Sequence, residues 1–152
     1  MQKISLFSIL VLLTVLSGCK KSGSSPSGPE SILTSGKWQL VSSTSIISGI
    51  TEDLYALIPP CQRDNYGIFN ADGTTTSDEG PTKCSSTDPQ TRSGGNWKLL
   101  DNNTKLQLAD PISGLIITAN IVQLDDNTMK LSYTTNYGGL SANTTSGYKH
   151  VK

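Results

Sequence analysis

From Gly36 onward the apolar positions fall in short runs, several alternating with polar residues, with Gly, Asn, Asp and Pro between them. Period-2 alternation bounded by turn formers predicts β-strands. Lys37 to Ile47 is the first: Trp38 and Leu40 alternate with Lys37 and Gln39 before a Ser/Thr-rich continuation. In Glu52 to Leu57 the pattern predicts one helical turn, ended by Pro59-Pro60. Tyr66 to Asn70 is a strand, and Asn70-Ala71-Asp72-Gly73 turns it, because Asp tolerates turn conformations and Gly takes φ > 0 at little cost. Thr74, Thr75 and Thr76 are β-branched and form the returning strand, which Asp78-Glu79-Gly80-Pro81 stops.

Lys83 to Gly95 reads as a long polar loop. Asn96 to Leu100 and Thr104 to Ala109 form a pair of strands around Asp101-Asn102-Asn103. Ser113 to Leu124 and Thr128 to Thr135 pair around Asp125-Asp126-Asn127. Gly138-Gly139 and the Ser/Asn/Thr stretch after it read as a loose loop, and Ser146 to Val151 as a candidate closing strand. The sum is about eight strands with short connections, an all-β antiparallel up-and-down meander.

The start of the chain has a different pattern. Met1 to Cys19 carries Lys3, an apolar stretch from Ile4 to Leu16, and small residues before the cysteine, which is the layout of a secretory leader. The apolar stretch is shorter than the about 20 residues a spanning helix needs. Leu16-Ser17-Gly18-Cys19 resembles the lipobox of bacterial lipoproteins. The resemblance implies a signal peptide over 1–18, lipidation of Cys19 through a diacylglyceryl thioether with further acylation (palmitate among the acyl chains), and a membrane anchor. Lys20 after the lipid site implies the outer membrane, with the domain in the periplasm or at the cell surface of the envelope. Residues 19–32, rich in Ser, Gly and Pro, are a flexible tether, leaving 33–152 as one domain.

Of the three cysteines, two remain: Cys61 and Cys84, an even pair in an oxidising compartment, read as a disulfide. The loop it closes contributes roughly 3.4 kcal/mol in the chain-entropy picture. With 12 basic and 12 acidic residues there is no basic block for nucleic acid.

Gly36-Lys37-Trp38 and Gly95-Asn96-Trp97-Lys98-Leu99, with the Asp72-Gly73-Thr74 hairpin between them and Asn/Asp turns after, resemble the lipocalin-like domain of small bacterial lipoproteins. The resemblance implies an eight-stranded β-barrel and a ligand-binding role.

Candidate chemistry is sparse. Asp64, Asp72, Asp78 and Glu79 crowd one hairpin but miss the EF-hand spacing, and turn chemistry accounts for them. Asp78 and Glu79, adjacent on a strand, point to opposite faces and cannot converge on one substrate. His150, the single histidine, reads as a surface side chain. Trp38 reads as a plug under the barrel. Trp97 and Tyr133 are the ligand-binding candidates, and Tyr133, Tyr137 and Tyr148 together read either as a binding rim or, the favoured reading, as cover for the end of a sheet. No catalytic residue, metal site or cofactor is expected. Two functions follow: a lipid-anchored envelope protein holding a small apolar or amphipathic ligand, or an envelope interaction module with a filled barrel. An interior cavity favours the first, and a packed core with an exposed apolar strip favours the second.

Overall fold

The computed structural model describes residues 28–110 and 112–152. The leader, Cys19 and the first part of the tether lie outside the described residues. The chain opens with α1 (Pro29–Thr34), followed by β1 (Lys37–Ile47), β2 (Ile50–Asp53), β3 (Tyr66–Phe69), β4 (Thr74–Asp78), β5 (Thr91–Leu100), β6 (Lys105–Ala109), β7 (Ile116–Leu124), β8 (Thr128–Tyr137) and β9 (Leu140–Val151).

Each strand from β3 to β9 pairs antiparallel with the next. β9 returns to pair with β1 from Val151 opposite Lys37 to Ala142 opposite Ile47, and the first residues of β1 pair with β3. Eight strands thus close into a barrel, and β2 is an extra strand hydrogen-bonded to the second half of β1. Closure pairs every barrel strand with a neighbour on both sides, which shortens the free edges that invite aggregation.

Two ends follow from the antiparallel order. At one lie α1, the 70–73 turn, the 101–103 turn, the 125–127 turn and the C-terminus. At the other lie the β1–β2 and β8–β9 hairpins and the β6–β7 loop. Both hairpins are two-residue turns with φ > 0 at each position: Ser48 at 50° and Gly49 at 83°, then Gly138 at 57° and Gly139 at 81°. That is the I′ geometry, which matches the twist of the flanking strands.

The core sits toward the first end. Leu33, Trp38, Phe69, Trp97, Leu106, Ala119, Met129 and Leu131 form one buried cluster. α1 is short, started by Pro29 at its first turn with Glu30 beside the N-terminal dipole. It lies under the barrel because Leu33 is fully buried and the Leu33 carbonyl accepts the Trp38 Nε1–H at 3.0 Å. Gly36 follows because a Cβ there would meet His150 Nε2 at 2.5 Å and the Val151 carbonyl at 2.7 Å.

Several expectations need correction. Residues 29–32, read as tether, belong to α1. β5 begins at Thr91, within the stretch read as loop. β9 begins at Leu140, so Gly138-Gly139 is a tight turn rather than a loose loop. Glu52 and Asp53 end β2; the helical turn falls later, with Leu57 N–H donating to Leu54 O at 3.3 Å and Ile58 N–H to Tyr55 O at 3.2 Å.

Candidate functional site

The inner face of the barrel is set by register. Trp38 faces the core and stands opposite Gly67, which places Gly67 on the same face. Ser77 pairs with Gly67, and Gly94 lies on the next strand. These three residues contribute almost no side-chain volume. A Cβ built on Gly67 finds one heavy atom within 4 Å, the Trp38 carbonyl at 3.9 Å. The wall of β3, β4 and β5 is therefore hollow where the opposite wall is filled.

The result is a cavity of about 230 Å³, open on one side. Trp38, Phe69, Leu108, Met129 and Leu131 give it an apolar base, Thr75 and Ser77 a thin polar side, and Tyr148 a phenol. It is smaller than the about 300–1,000 Å³ of a drug-sized site, so it suits a small ligand. Burial pushes the Tyr148 phenol above its ordinary range, the neighbouring Tyr133 adds to the rise and a hydrogen bond with Ser146 opposes it. Tyr148 is neutral at any physiological pH.

Beyond Tyr148 the inner face turns polar. Ser43, Ser45, Thr144 and Ser146 are all buried. Ser43 pairs with Ser146 across β1 and β9, and their hydroxyls meet at 3.1 Å. One step on, Thr144 Oγ1–H donates to Ser45 Oγ at 3.1 Å. Ser146 also pairs with Leu131, a cavity-lining residue, so this hydroxyl ladder starts at the cavity wall.

The residues singled out in the sequence take other places. Trp97 does not line this cavity. Its Nε1–H donates to Asn70 O at 2.9 Å and its ring meets Phe69 edge-on at 5.6 Å, so it fixes the 70–73 turn against the core. Tyr133 packs against the core behind Tyr148. Tyr133 and Tyr148 turn inward and do not cover a sheet end. His150 is not a free surface side chain: Nδ1 lies 2.8 Å from Asp126 O, Nε2 lies 3.3 Å from Ser35 Oγ, and the ring stacks on Trp38 at 4.8 Å. It ties the C-terminal strand to α1 and to the 125–127 turn.

Cys61 and Cys84 form a disulfide with Cα atoms 5.2 Å apart. It joins the loops before β3 and after β4. The hairpin carboxylates serve local structure. Asp72 Oδ1 accepts from Thr74 N–H and Oγ1–H at 2.9 and 2.7 Å, and Asp64 Oδ2 accepts from Thr82 N–H and Oγ1–H at 2.9 and 2.7 Å. Asp78 is buried and binds Lys37 Nζ at 2.6 Å, Gln90 Nε2–H at 2.7 Å and Gly80 N–H at 3.0 Å. Those donors, Lys37 first, hold its carboxyl down at about 2. By register Lys37 and Asp78 lie on the face opposite Trp38, outside the cavity. Among the described residues no group of three or more His, Cys, Asp or Glu is placed to hold a metal ion.

Tyr148 lines the cavity, in keeping with the binding-rim alternative for the tyrosines, while Gly67, Gly94 and Ser77 were not distinguishable as a site in the sequence. The available signal was the position of Gly67 and Ser77 on the inward side of a strongly patterned hairpin, where large residues are usual.

No curated protein matches the chain. A family model, described as a lipocalin-like domain, matches residues 34–131.

Proposed function

The chain belongs to the lipocalin-like domain family, and from that premise we propose that it is a non-enzymatic binding module whose barrel holds one small apolar or amphipathic molecule. The cavity carries the reading: about 230 Å³ against an apolar base, left open by Gly67, Ser77 and Gly94. An eight-stranded barrel is about wide enough to hold one small ligand. The leader and Leu16-Ser17-Gly18-Cys19 support a lipid-anchored protein of a bacterial envelope, held through Cys19, with Lys20 favouring the outer membrane.

The test is native mass spectrometry of the domain purified from its own envelope, alongside Gly67→Phe. The phenylalanine ring enters open space beside Trp38. The wild-type protein is expected to carry a reproducible extra mass that leaves on denaturation. G67F is expected to fold with a closely similar melting temperature and carry none. A bare wild-type chain, or an adduct retained by G67F, sinks the reading.

A second reading, an envelope interaction module, draws on exposed apolar side chains at the hairpin end: Ile46 and Ile50 on β1–β2, Leu115 and Ile116 at the start of β7, and Leu140 on β9. Exposed apolar surface of this kind marks contact sites. A bare chain that self-associates or retains a protein partner, and no longer does so with Ile50→Lys or Leu140→Lys, would favour it.

A further inference from the structure

Among the described residues nothing that lines the cavity is charged, and this bears on the class of ligand. The lining consists of apolar residues, glycines, hydroxyls of Thr75 and Ser77, the backbone of Thr76 and the phenol of Tyr148. The Lys37–Asp78 ion pair is on the other face of the sheet. A carboxylate or phosphate placed here would lose its water without gaining a counter-charge, a desolvation cost that dominates over one or two neutral hydrogen bonds.

The hydroxyl ladder offers the opposite. Each hydroxyl has one donor and two acceptor lone pairs. The Ser43–Ser146 contact uses one donor and one lone pair, and so does the Thr144–Ser45 contact. The Thr144–Ser45 pair therefore keeps one spare O–H, and the Ser43–Ser146 pair, also hydrogen-bonded with Tyr148, keeps lone pairs, in a buried place where unmet polar groups are costly. Tyr148 bridges this ladder and the apolar base, being both a lining residue and a neighbour of Ser146 on β9.

We propose that the cavity selects neutral amphiphiles: a short aliphatic or alicyclic tail on Trp38, Met129 and Leu131, with an alcohol, ester or ketone oxygen at Tyr148 and the adjoining Ser146 and Ser43 hydroxyls. The proposal rests on the carrier reading and adds its ligand class. The volume limits the tail. At about 30 Å³ for a water-sized unit, the space accepts on the order of eight non-hydrogen atoms, a longer ligand extending through the open side.

The experiment is an NMR titration of the folded domain at pH 7 with octan-1-ol and with octanoate, following the amide signals of Gly67 and Gly94. Octan-1-ol is expected to bind about tenfold or more tighter than octanoate. Octanoate should gain affinity as the pH falls toward 5 and its carboxyl protonates. Tyr148→Phe and Ser146→Ala should each weaken octan-1-ol about threefold to tenfold while leaving cyclooctane binding unchanged. Octanoate binding at pH 7 as tightly as the alcohol, or both variants binding the alcohol like wild type, overturns the ligand class and leaves the carrier reading standing. Amide signals unmoved by octan-1-ol, octanoate and cyclooctane alike overturn the carrier reading itself, and this inference with it.

Discussion

Asp78 shows how one side chain couples three strands. Its carboxylate receives Lys37 from β1, across β3, along with Gln90 and the Gly80 amide. Its pKa is lowered from 3.8 to about 2 in the fold. A carboxyl whose folded pKa is depressed stabilises the fold above its unfolded pKa, and that stabilisation is lost as the pH falls through the folded value. The window here runs from about pH 4 down to about pH 2. Lys37 is 43% exposed, so solvent screening reduces the effect. Asp78→Asn is expected to cost about 1–2 kcal/mol at pH 7, with the gap to wild type closing by about pH 2. Urea unfolding at pH 7, 4 and 2.5 checks this; a gap that stays constant across the three pH values would show that the charge is not the source. Tyr148 has no comparable influence near neutrality, because its shift moves it further from the physiological range.

At the scale of elements, α1 has more importance than its length suggests. Isolated, a helix of six residues would not form, so its stability comes from docking Leu33 and Ile32 on the barrel. Leu33→Ala is expected to cost about 2–4 kcal/mol, since it hollows out a fully buried position. It should also make Trp38 more accessible to a fluorescence quencher. A loss below about 1 kcal/mol with Trp38 still shielded would mean that α1 is not what seals this end. The same elements show what could be read from sequence. β1 was legible from end to end because Trp38 and Leu40 start a clear alternation, and the β3–β4 hairpin was legible from Asp72-Gly73. The first half of β9 was not, because its buried residue is Thr144 and its neighbours Asn143 and Thr145 are also polar. With hydroxyls on both faces a strand has no hydrophobic period. The first half of β5 was hidden for a related reason, since Gly94 faces a cavity and no large residue is called for. β2 was missed because all four of its residues are exposed and polar neighbours surround Ile50. The site was illegible for the same cause: a cavity is made by residues that are small, and small residues leave little trace in a pattern of large ones.

For the whole molecule, the asymmetry between ends matters most. The described chain enters through α1, at the end filled by Leu33, Trp38 and Phe69, while the hairpins with exposed Ile50 and Leu140 are at the other. If Cys19 is the mooring point proposed above, the chain between it and α1 is about ten residues, a reach of at most roughly 35 Å. The barrel would then be moored by its sealed end, with its hairpin end turned outward from the bilayer. A fluorophore at an engineered cysteine replacing Leu140, on lipidated protein in vesicles, is expected to be quenched less by nitroxide-labelled lipid than one at Asn127. Equal quenching would mean that the barrel lies on its side. Such a mooring would hold the exposed side chains of Ile50 and Leu140 away from the bilayer that anchors the domain. Their contacts would then be with whatever faces that end, another membrane or a passing molecule, so that the small helix under the barrel would decide which way the protein looks.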